Sequence, residues 1–206
     1  MVSLNSRHCL VLGRLLGWLL AAALCMTGCG KQERTEAVQL AKALTGKKAN
    51  FADANAIEKD FISSARAWCS GITANGAGRG AELDQNAAVA AGLAKSALAI
   101  SAQLSQVREA IDSQPLKEEY PRTVRNELTT QLTKRQRLLQ DMRALLEQAA
   151  PQFLEYKQSK TYAGDTYPDG VGKVDALLGA YKPPEDALGT ALAALQSKYS
   201  FSASEL

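Results

Sequence analysis

Histidine is nearly absent from this sequence: among its 206 residues the only one is His8. It lies in an N-terminal segment of basic and apolar residues, so residues 29–206 contain none. This excludes Ser-His and Cys-His nucleophile pairs and histidine-ligated metal sites from the rest of the chain. An enzyme would need carboxylate or lysine chemistry, for which Asp165 and Asp169 are candidates, but their spacing identifies no partner acid. We therefore predict a protein without catalytic residues, bound metal or cofactor.

The first 29 residues have the pattern of a secretory signal. Arg7 and Arg14 supply positive charge, an apolar run follows over 15–24, and small residues come next. The last four residues, Met-Thr-Gly-Cys at 26–29, resemble the lipobox of bacterial lipoproteins. In that family the chain is cut before the cysteine, and the cysteine carries the lipid. The resemblance therefore implies that Cys29 is lipidated and anchors the protein to a membrane.

Two other interpretations of this segment remain open. A retained transmembrane helix needs about 20 apolar residues, and the run over 15–24 has about half that number. Ordinary signal cleavage is also possible after Ala23, which ends a run of three alanines. Among lipoproteins of Gram-negative cells, an Asp after the cysteine favours retention in the inner membrane, and here Gly30 takes that place. The resemblance therefore implies a cell-envelope protein, on the outer membrane facing the periplasm if the cell is Gram-negative.

Cysteine and net charge are scarce in the remainder. Cys9 and Cys25 would leave with the signal and Cys29 would carry lipid, so Cys69 alone would remain and could form no intramolecular disulfide. We interpret Cys69 as a small buried packing residue, with a reactive or dimer-forming thiol as the alternative. Removal of residues 1–28 leaves 178 residues with 22 basic and 21 acidic side chains. The length suits one domain, and the net charge of +1 gives no electrostatic basis for nucleic-acid binding.

Apolar residues recur at steps of three and four along the remaining chain, which is typical of helices. No segment alternates apolar and polar residues in the manner of a strand. The sequence therefore predicts an all-α fold: an antiparallel helical bundle of about four main helices with two short accessory helices, in one domain over 37–199. Residues 29–36 would form a lipid-anchored tether and 200–206 a loose tail. The predicted main helices are 53–74, 81–113, 121–150 and 185–199, and the accessory helices are 34–45 and 171–181.

Glycine and proline set several of these predicted boundaries. Gly46 would end the first accessory helix, Asp53 would cap the next helix, and Pro151 would end or kink the third main helix. The glycine-rich stretch 75–80 is expected to be a turn, because the two phosphate-binding glycine motifs need a preceding strand. The apolar face of the 53–74 helix is predicted to comprise Ile57, Phe61, Ala65, Trp68 and Ile72.

The clearest repeat lies in the predicted helix that begins at 121. From Leu128 to Phe153, positions at alternating steps of four and three are apolar with one exception, Arg135. We interpret Arg135 as a long side chain that reaches past the edge of the apolar seam to water. The alternative is a buried ion pair that fixes the register of the helices.

Tyrosine is concentrated near the C-terminus, where five of the six tyrosines lie in the last quarter of the chain among several lysines. Tyrosine with cations is typical of protein-binding surfaces. The alternative is that these tyrosines pack the non-periodic segment 158–172 onto the bundle. The predicted interaction surface comprises Tyr156, Lys160, Tyr162, Tyr167 and Tyr181.

The sequence supports two functional hypotheses. The first is a lipid-anchored cell-envelope protein that acts as a structural or protein-interaction module, with a protein partner or a second copy as its contact. The second is a small-ligand-binding module with a pocket inside the bundle, to which Trp68 would contribute.

Overall fold

The computed structural model describes residues 6–159, 167–182 and 186–206, with side chains from Gly30 onward except that of Ala203. Within these ranges the chain forms five α-helices and one short 3₁₀ helix and contains no strand, which confirms the predicted all-α class. The α-helices are α1 (Ser6–Asn75), α2 (Ala81–Asp112), α3 (Glu119–Gln158), α4 (Asp169–Ala180) and α5 (Ala187–Tyr199), and the 3₁₀ helix is Ala203–Glu205.

The helices enclose one apolar core. α2 and α3 pack along each other, α1 packs chiefly on α2, and the shorter α4 and α5 both contact α1 and α3. At one end of the molecule Glu36 of α1 lies against Lys117, just before α3. We call this the near end, because it is closest along the chain to Cys29. At the far end Trp68 of α1 meets Phe153 of α3.

The apolar seam predicted for α3 is confirmed. Every position of the repeat from Leu128 to Phe153 is buried except Arg135. The spacing of apolar residues along α2 predicts one buried face, and all eight residues of this face are buried: Leu83, Ala87, Ala90, Ala94, Ala97, Leu104, Val107 and Ile111. By length and composition α2 could also cross a membrane, but most of its large apolar side chains lie in the core, as in the core helix of a globular domain.

One helix replaces the two that the sequence predicts between residues 34 and 74. α1 passes through Gly46 and Asp53 without a break, so the predicted boundaries at these two positions are wrong. An exposed glycine costs about 1 kcal/mol in a helix interior. Leu44 and Phe51, on either side, are each 1% exposed, and burial of such a side chain contributes about 1.5–3 kcal/mol. The packing of the flanking residues therefore outweighs the local preference of glycine.

The helix that contains Pro151 also runs further than predicted. α3 continues to Gln158, so the predicted end at 150 is wrong. A proline inside a helix costs about 3 kcal/mol. Beyond it, Phe153 is fully buried and its ring meets Trp68 edge-on, with 5.9 Å between the ring centroids. Burial of an aromatic side chain and its ring contact offset much of that cost.

The segment after Cys29, which the sequence predicts to be a tether, is helical in the structure. Residues 30–36 belong to α1, and Glu36 is 6% exposed. Its carboxylate accepts hydrogen bonds from the backbone N–H groups of Lys117 and Glu118, both at 2.8 Å. Burial opposes ionisation of this carboxyl, but the two backbone donors, the Gln32 side chain and the charge of Lys117 together lower the pKa of Glu36.

The predicted loose tail over 200–206 is also wrong. Phe201 is 6% exposed in the core, and the 3₁₀ helix follows it. Glu205 forms an ion pair with Arg34 at 2.7 Å. The turn of α1 around Arg34 and the last residues of the chain therefore contact each other at the near end.

Candidate binding groove beside Tyr181

The structure describes three of the five residues of the predicted interaction surface, and none of these three is fully exposed. Lys160 and Tyr162 lie outside the residues that the structure describes. Tyr156 and Tyr167 are half-buried and pack against the core. Tyr181 is 8% exposed, so for this residue the packing alternative is the correct one.

Tyr181 belongs to a buried polar network that joins three parts of the chain. Glu58 of α1 is fully buried. Its carboxylate accepts hydrogen bonds from the Tyr181 hydroxyl, at 2.5 Å, and from the guanidinium of Arg135 in α3. Arg135 Nη2 also donates to Asn55 Oδ1 at 2.7 Å, and its Cζ lies 5.2 Å from the centre of the Phe51 ring. The network ties the end of α4 to both α1 and α3.

The ion pair decides between the two interpretations of Arg135. Its side chain is 15% exposed and pairs with Glu58, so the water-facing interpretation is wrong and the buried ion pair is the correct one. Arg135 Nε and Nη1 are buried without an acceptor in the part of the chain that the structure describes. Burial, and then the hydrogen bond to Glu58, raise the pKa of Tyr181, so its hydroxyl stays a proton donor.

A groove of about 630 Å³ runs along α1 directly beside this network. Apart from Tyr181, the lining that the structure describes comes from one face of α1. The residues on that face are Asn55, Ala56, Lys59, Ile62, Ser63 and Arg66. Steps of four and three from Asn55 to Arg66 bring them onto the same side of the helix.

The lining of the groove combines an apolar surface with two cations. Ile62 and the Tyr181 side chain are largely buried and provide apolar contact, whereas Lys59 and Arg66 are exposed. Neither cation forms an ion pair with a described residue. Arg66 Nη2 donates to the backbone oxygen of Leu178 at 3.0 Å, which holds the guanidinium at the edge of the groove. The groove therefore has a positive lining with one cation already oriented.

Sequence reasoning missed Glu58, Lys59 and Arg66. The predicted apolar face of α1 included Ile57, but this side chain is 38% exposed, so that assignment is wrong. The buried positions include 54, 58, 61, 65, 68 and 72, whose steps alternate between four and three. This regular spacing indicates that the side chain of Glu58 is buried. Ile57 is more apolar than Glu58, so local sequence favours Ile57 for the core. The hydrogen-bond partners that allow Glu58 to be buried, Arg135 and Tyr181, lie in distant segments of the chain.

A second depression, of about 320 Å³, lies at the far end next to Trp68. The indole Nε1 donates to Asn86 Oδ1 at 3.1 Å, and Asn86 Nδ2 donates to the backbone oxygen of Ala77 at 3.0 Å. Trp68 is 9% exposed. The indole N–H therefore already has an acceptor, and this contact holds the turn between α1 and α2. The depression lies at the surface of the molecule, not in its interior.

Cys69 is a packing residue. It is fully buried, and its thiol lies 3.8 Å from the backbone oxygen of Val171. Burial, and then the nearby Asp175, raise the pKa of Cys69 to about 12. The thiol is therefore protonated at neutral pH, which disfavours the reactive alternative.

Of the two aspartates considered for chemistry, the structure describes only Asp169. Asp169 is exposed and pairs with Lys173 at 2.6 Å, and Asp165 lies outside the described residues. Among the described residues there is no cluster of three or more histidine, cysteine or carboxylate side chains that could hold a metal ion.

Comparisons with known proteins assign this chain to no family. Neither a protein-family model, a curated protein nor a solved structure matches it.

Proposed function

We propose that the chain is a lipid-anchored cell-envelope protein that acts as a structural or protein-interaction module. The observation that carries this proposal is the Met-Thr-Gly-Cys sequence at 26–29, at the end of an apolar run of signal length. Lipid on Cys29 would hold the protein at a membrane, which is the outer membrane facing the periplasm if the cell is Gram-negative. Its partner would be a second protein or a second copy of the chain.

The continuity of α1 supports a structural role. Glu36 follows Cys29 by seven residues, about 10 Å along a helix, and already packs at the near end. The near end would therefore stay close to the lipid. The helix from Gly30 to Asn75 is about 69 Å long at 1.5 Å per residue. An anchor joined directly to such a helix would present the far end well away from the membrane.

The arrangement that we propose for the helices is an antiparallel four-helix bundle. α1, α2 and α3 would occupy three positions, and α4 and α5 would share the fourth, one after the other. The contacts of both short helices with α1 and α3 support this arrangement. So do the contacts of Cys69 with Val171 near the far end and of Glu33 with Lys198 near the near end.

Acylation and partner capture would test the proposed function. Cells that express the wild type, Cys29→Ala or Cys69→Ala would be fed an alkyne-labelled palmitate, cross-linked and solubilised. We expect label in the wild type and in the Cys69→Ala control only, together with a cross-linked partner or dimer that depends on the anchor. Label on Cys29→Ala would refute the anchor. Recovery of labelled monomer alone would refute the interaction role.

The groove favours a second function, that of a ligand-binding module. Its volume of about 630 Å³ falls in the range of about 300–1,000 Å³ that is typical of small-molecule sites. It lies on the flank of the bundle beside α1, not in the interior as the sequence led us to expect. Saturable binding of a small molecule that is lost when the groove is altered would support this function.

A further inference from the structure

We infer that the groove beside Tyr181 binds a small organic anion with an apolar body, such as a carboxylate or phosphate ester on a short alkyl or aryl group. This inference rests on the second, ligand-binding function and does not depend on the lipidation of Cys29. It names the chemical class of the ligand from the charges, donors and apolar area of the lining.

The charge of the lining selects an anion. Lys59 and Arg66 both border the groove, and no described carboxylate side chain is part of its lining. The nearest carboxylate in the network, that of Glu58, is fully buried and engaged by Arg135 and Tyr181. A cation in the groove would therefore be repelled by two positive charges that form no ion pair with a described residue, whereas an anion would be attracted by both.

Hydrogen-bond donors outnumber free acceptors around the groove. Asn55 Oδ1 accepts from Arg135, so this side chain has chiefly its amide hydrogens left to offer. Arg66 uses Nη2 for the Leu178 backbone oxygen, and a guanidinium has five N–H donors in total. The ammonium of Lys59 adds three more. An acceptor-only group such as a carboxylate or phosphate matches this set.

The apolar part of the lining requires a ligand that is more than a bare ion. Ile62 lies between Lys59 and Arg66 along the helix, and Ala56 and Tyr181 also line the groove. Lys59 and Arg66 are seven residues apart, about 10 Å along the helix. A short hydrocarbon or aromatic group would cover Ile62 while its anionic end reaches one of the two cations. Burial of that group removes apolar surface from water, which favours binding.

The same chemistry could come from a soluble metabolite or from a lipid headgroup. Asn55 follows Cys29 by 26 residues, about 39 Å along a helix. An upright bundle would therefore keep the groove beyond the headgroups of its own membrane. A tilted bundle would let an anionic lipid reach it. The test must distinguish these two sources.

The experiment uses the full chain as purified from cells, in nanodiscs of phosphatidylcholine, with empty discs subtracted. The probes are phenylbutyrate, phenylbutanol and phenylbutylamine, which share one apolar body and differ in charge. Binding would be measured by calorimetry and by ligand-detected NMR. We expect phenylbutyrate to bind about tenfold more tightly than phenylbutanol, phenylbutylamine not to bind, and added salt to weaken the anion.

Exposed positions supply variants that should fold normally. Ala56→Glu places a carboxylate in the groove, and Ala56→Gln is its uncharged control of similar size. We expect the Glu variant to weaken phenylbutyrate binding by at least about tenfold and the Gln variant by less than about threefold. Lys59→Gln should weaken it about three- to tenfold, while Lys95→Gln, on the exposed side of α2, should leave it unchanged.

Each outcome separates the anion assignment from the ligand-binding function. If phenylbutanol binds as tightly as phenylbutyrate and Lys59→Gln has no effect on binding, the assignment of an anionic ligand is refuted, but a ligand-binding site remains. No binding of any probe, or equal losses in Ala56→Glu and Lys95→Gln, would overturn both. If phosphatidylglycerol in the disc competes with phenylbutyrate, a lipid headgroup is the source of the anion. Absence of competition assigns a soluble anion.

Discussion

Removal of one partner from the buried Glu58–Arg135 pair is expected to destabilise the protein strongly. Glu58 is fully buried, and the side chain of Arg135 is 15% exposed. In Glu58→Gln the guanidinium would lose its counter-charge while most of it stays away from water. Breaking a buried ion pair in this way costs about 3–5 kcal/mol, and the residual hydration of Arg135 favours the lower end, about 3 kcal/mol. For a domain of this size that corresponds to a decrease in Tm of about 6–12 °C.

A double-mutant cycle isolates the interaction between the two side chains. Arg135→Met leaves the Glu58 carboxylate with the Tyr181 hydroxyl as its remaining donor, so we expect a loss of about 2–3 kcal/mol. The double variant has neither buried charge and should be more stable than the sum of the single losses implies. We expect a coupling energy of about 2 kcal/mol, measured by urea and thermal unfolding of the full chain with helical circular dichroism as the signal.

The exposed pair Arg143–Glu147 is the matched control. Its atoms are 2.8 Å apart, four residues apart on the same helix as Arg135. Exposed pairs of this kind contribute about 0.3–0.5 kcal/mol. If the cycle at Glu58 and Arg135 yields a coupling no larger than the cycle at Arg143 and Glu147, the buried network does not hold the helices together and the reasoning is refuted.

Other sites give further expected outcomes. Glu36→Gln should lower the free energy of unfolding by about 1–2 kcal/mol near neutral pH. Because the folded-state pKa of Glu36 is lowered from 4.5, this loss should persist above pH 4.5 and shrink as the pH falls through the folded-state pKa. Urea unfolding across pH would show this dependence. Cys69, with its pKa raised to about 12, should react with iodoacetamide only in denaturant, and rapid labelling of the folded chain would contradict its burial. Gly170→Ala should cost about 1–2 kcal/mol, because the added Cβ would lie 3.0 Å from the Leu145 backbone oxygen. Gly92→Ala, with nothing within 4 Å of the added Cβ, should instead stabilise the chain by about 0.5–1 kcal/mol, and thermal unfolding would compare the two.

Helices α2 and α3 could be predicted from the sequence because the spacing of their apolar residues and the residues at their boundaries are local and favour the same helices. The predicted 81–113 and the observed Ala81–Asp112 differ by one residue. The apolar repeat of α3 matches its buried face except at Arg135. Prediction failed where a local signal and long-range packing disagree. Gly46 and Pro151 are unfavourable in helices, yet the burial of neighbouring side chains keeps both helices continuous.

The groove could not be predicted because its parts come from separate segments. Lys59 and Arg66 look like ordinary solvated charges on a helix, and Tyr181 lies 115 residues beyond Arg66. Only the packing of α4 on α1 brings the tyrosine beside them. The predicted tyrosine-rich surface relied on composition, which cannot distinguish a tyrosine at the surface from one that donates to a buried carboxylate.

By itself the sequence determined the helical class, the apolar faces of α2 and α3, and the lipobox pattern that predicts an anchor at Cys29. Each depends on residues that are neighbours along the chain. The tertiary structure decided that α1 is one helix, that Glu58 pairs with Arg135, and that two cations border an apolar groove. These depend on contacts between residues that are distant in sequence, where the free energy of burial exceeds the local preferences of single residues.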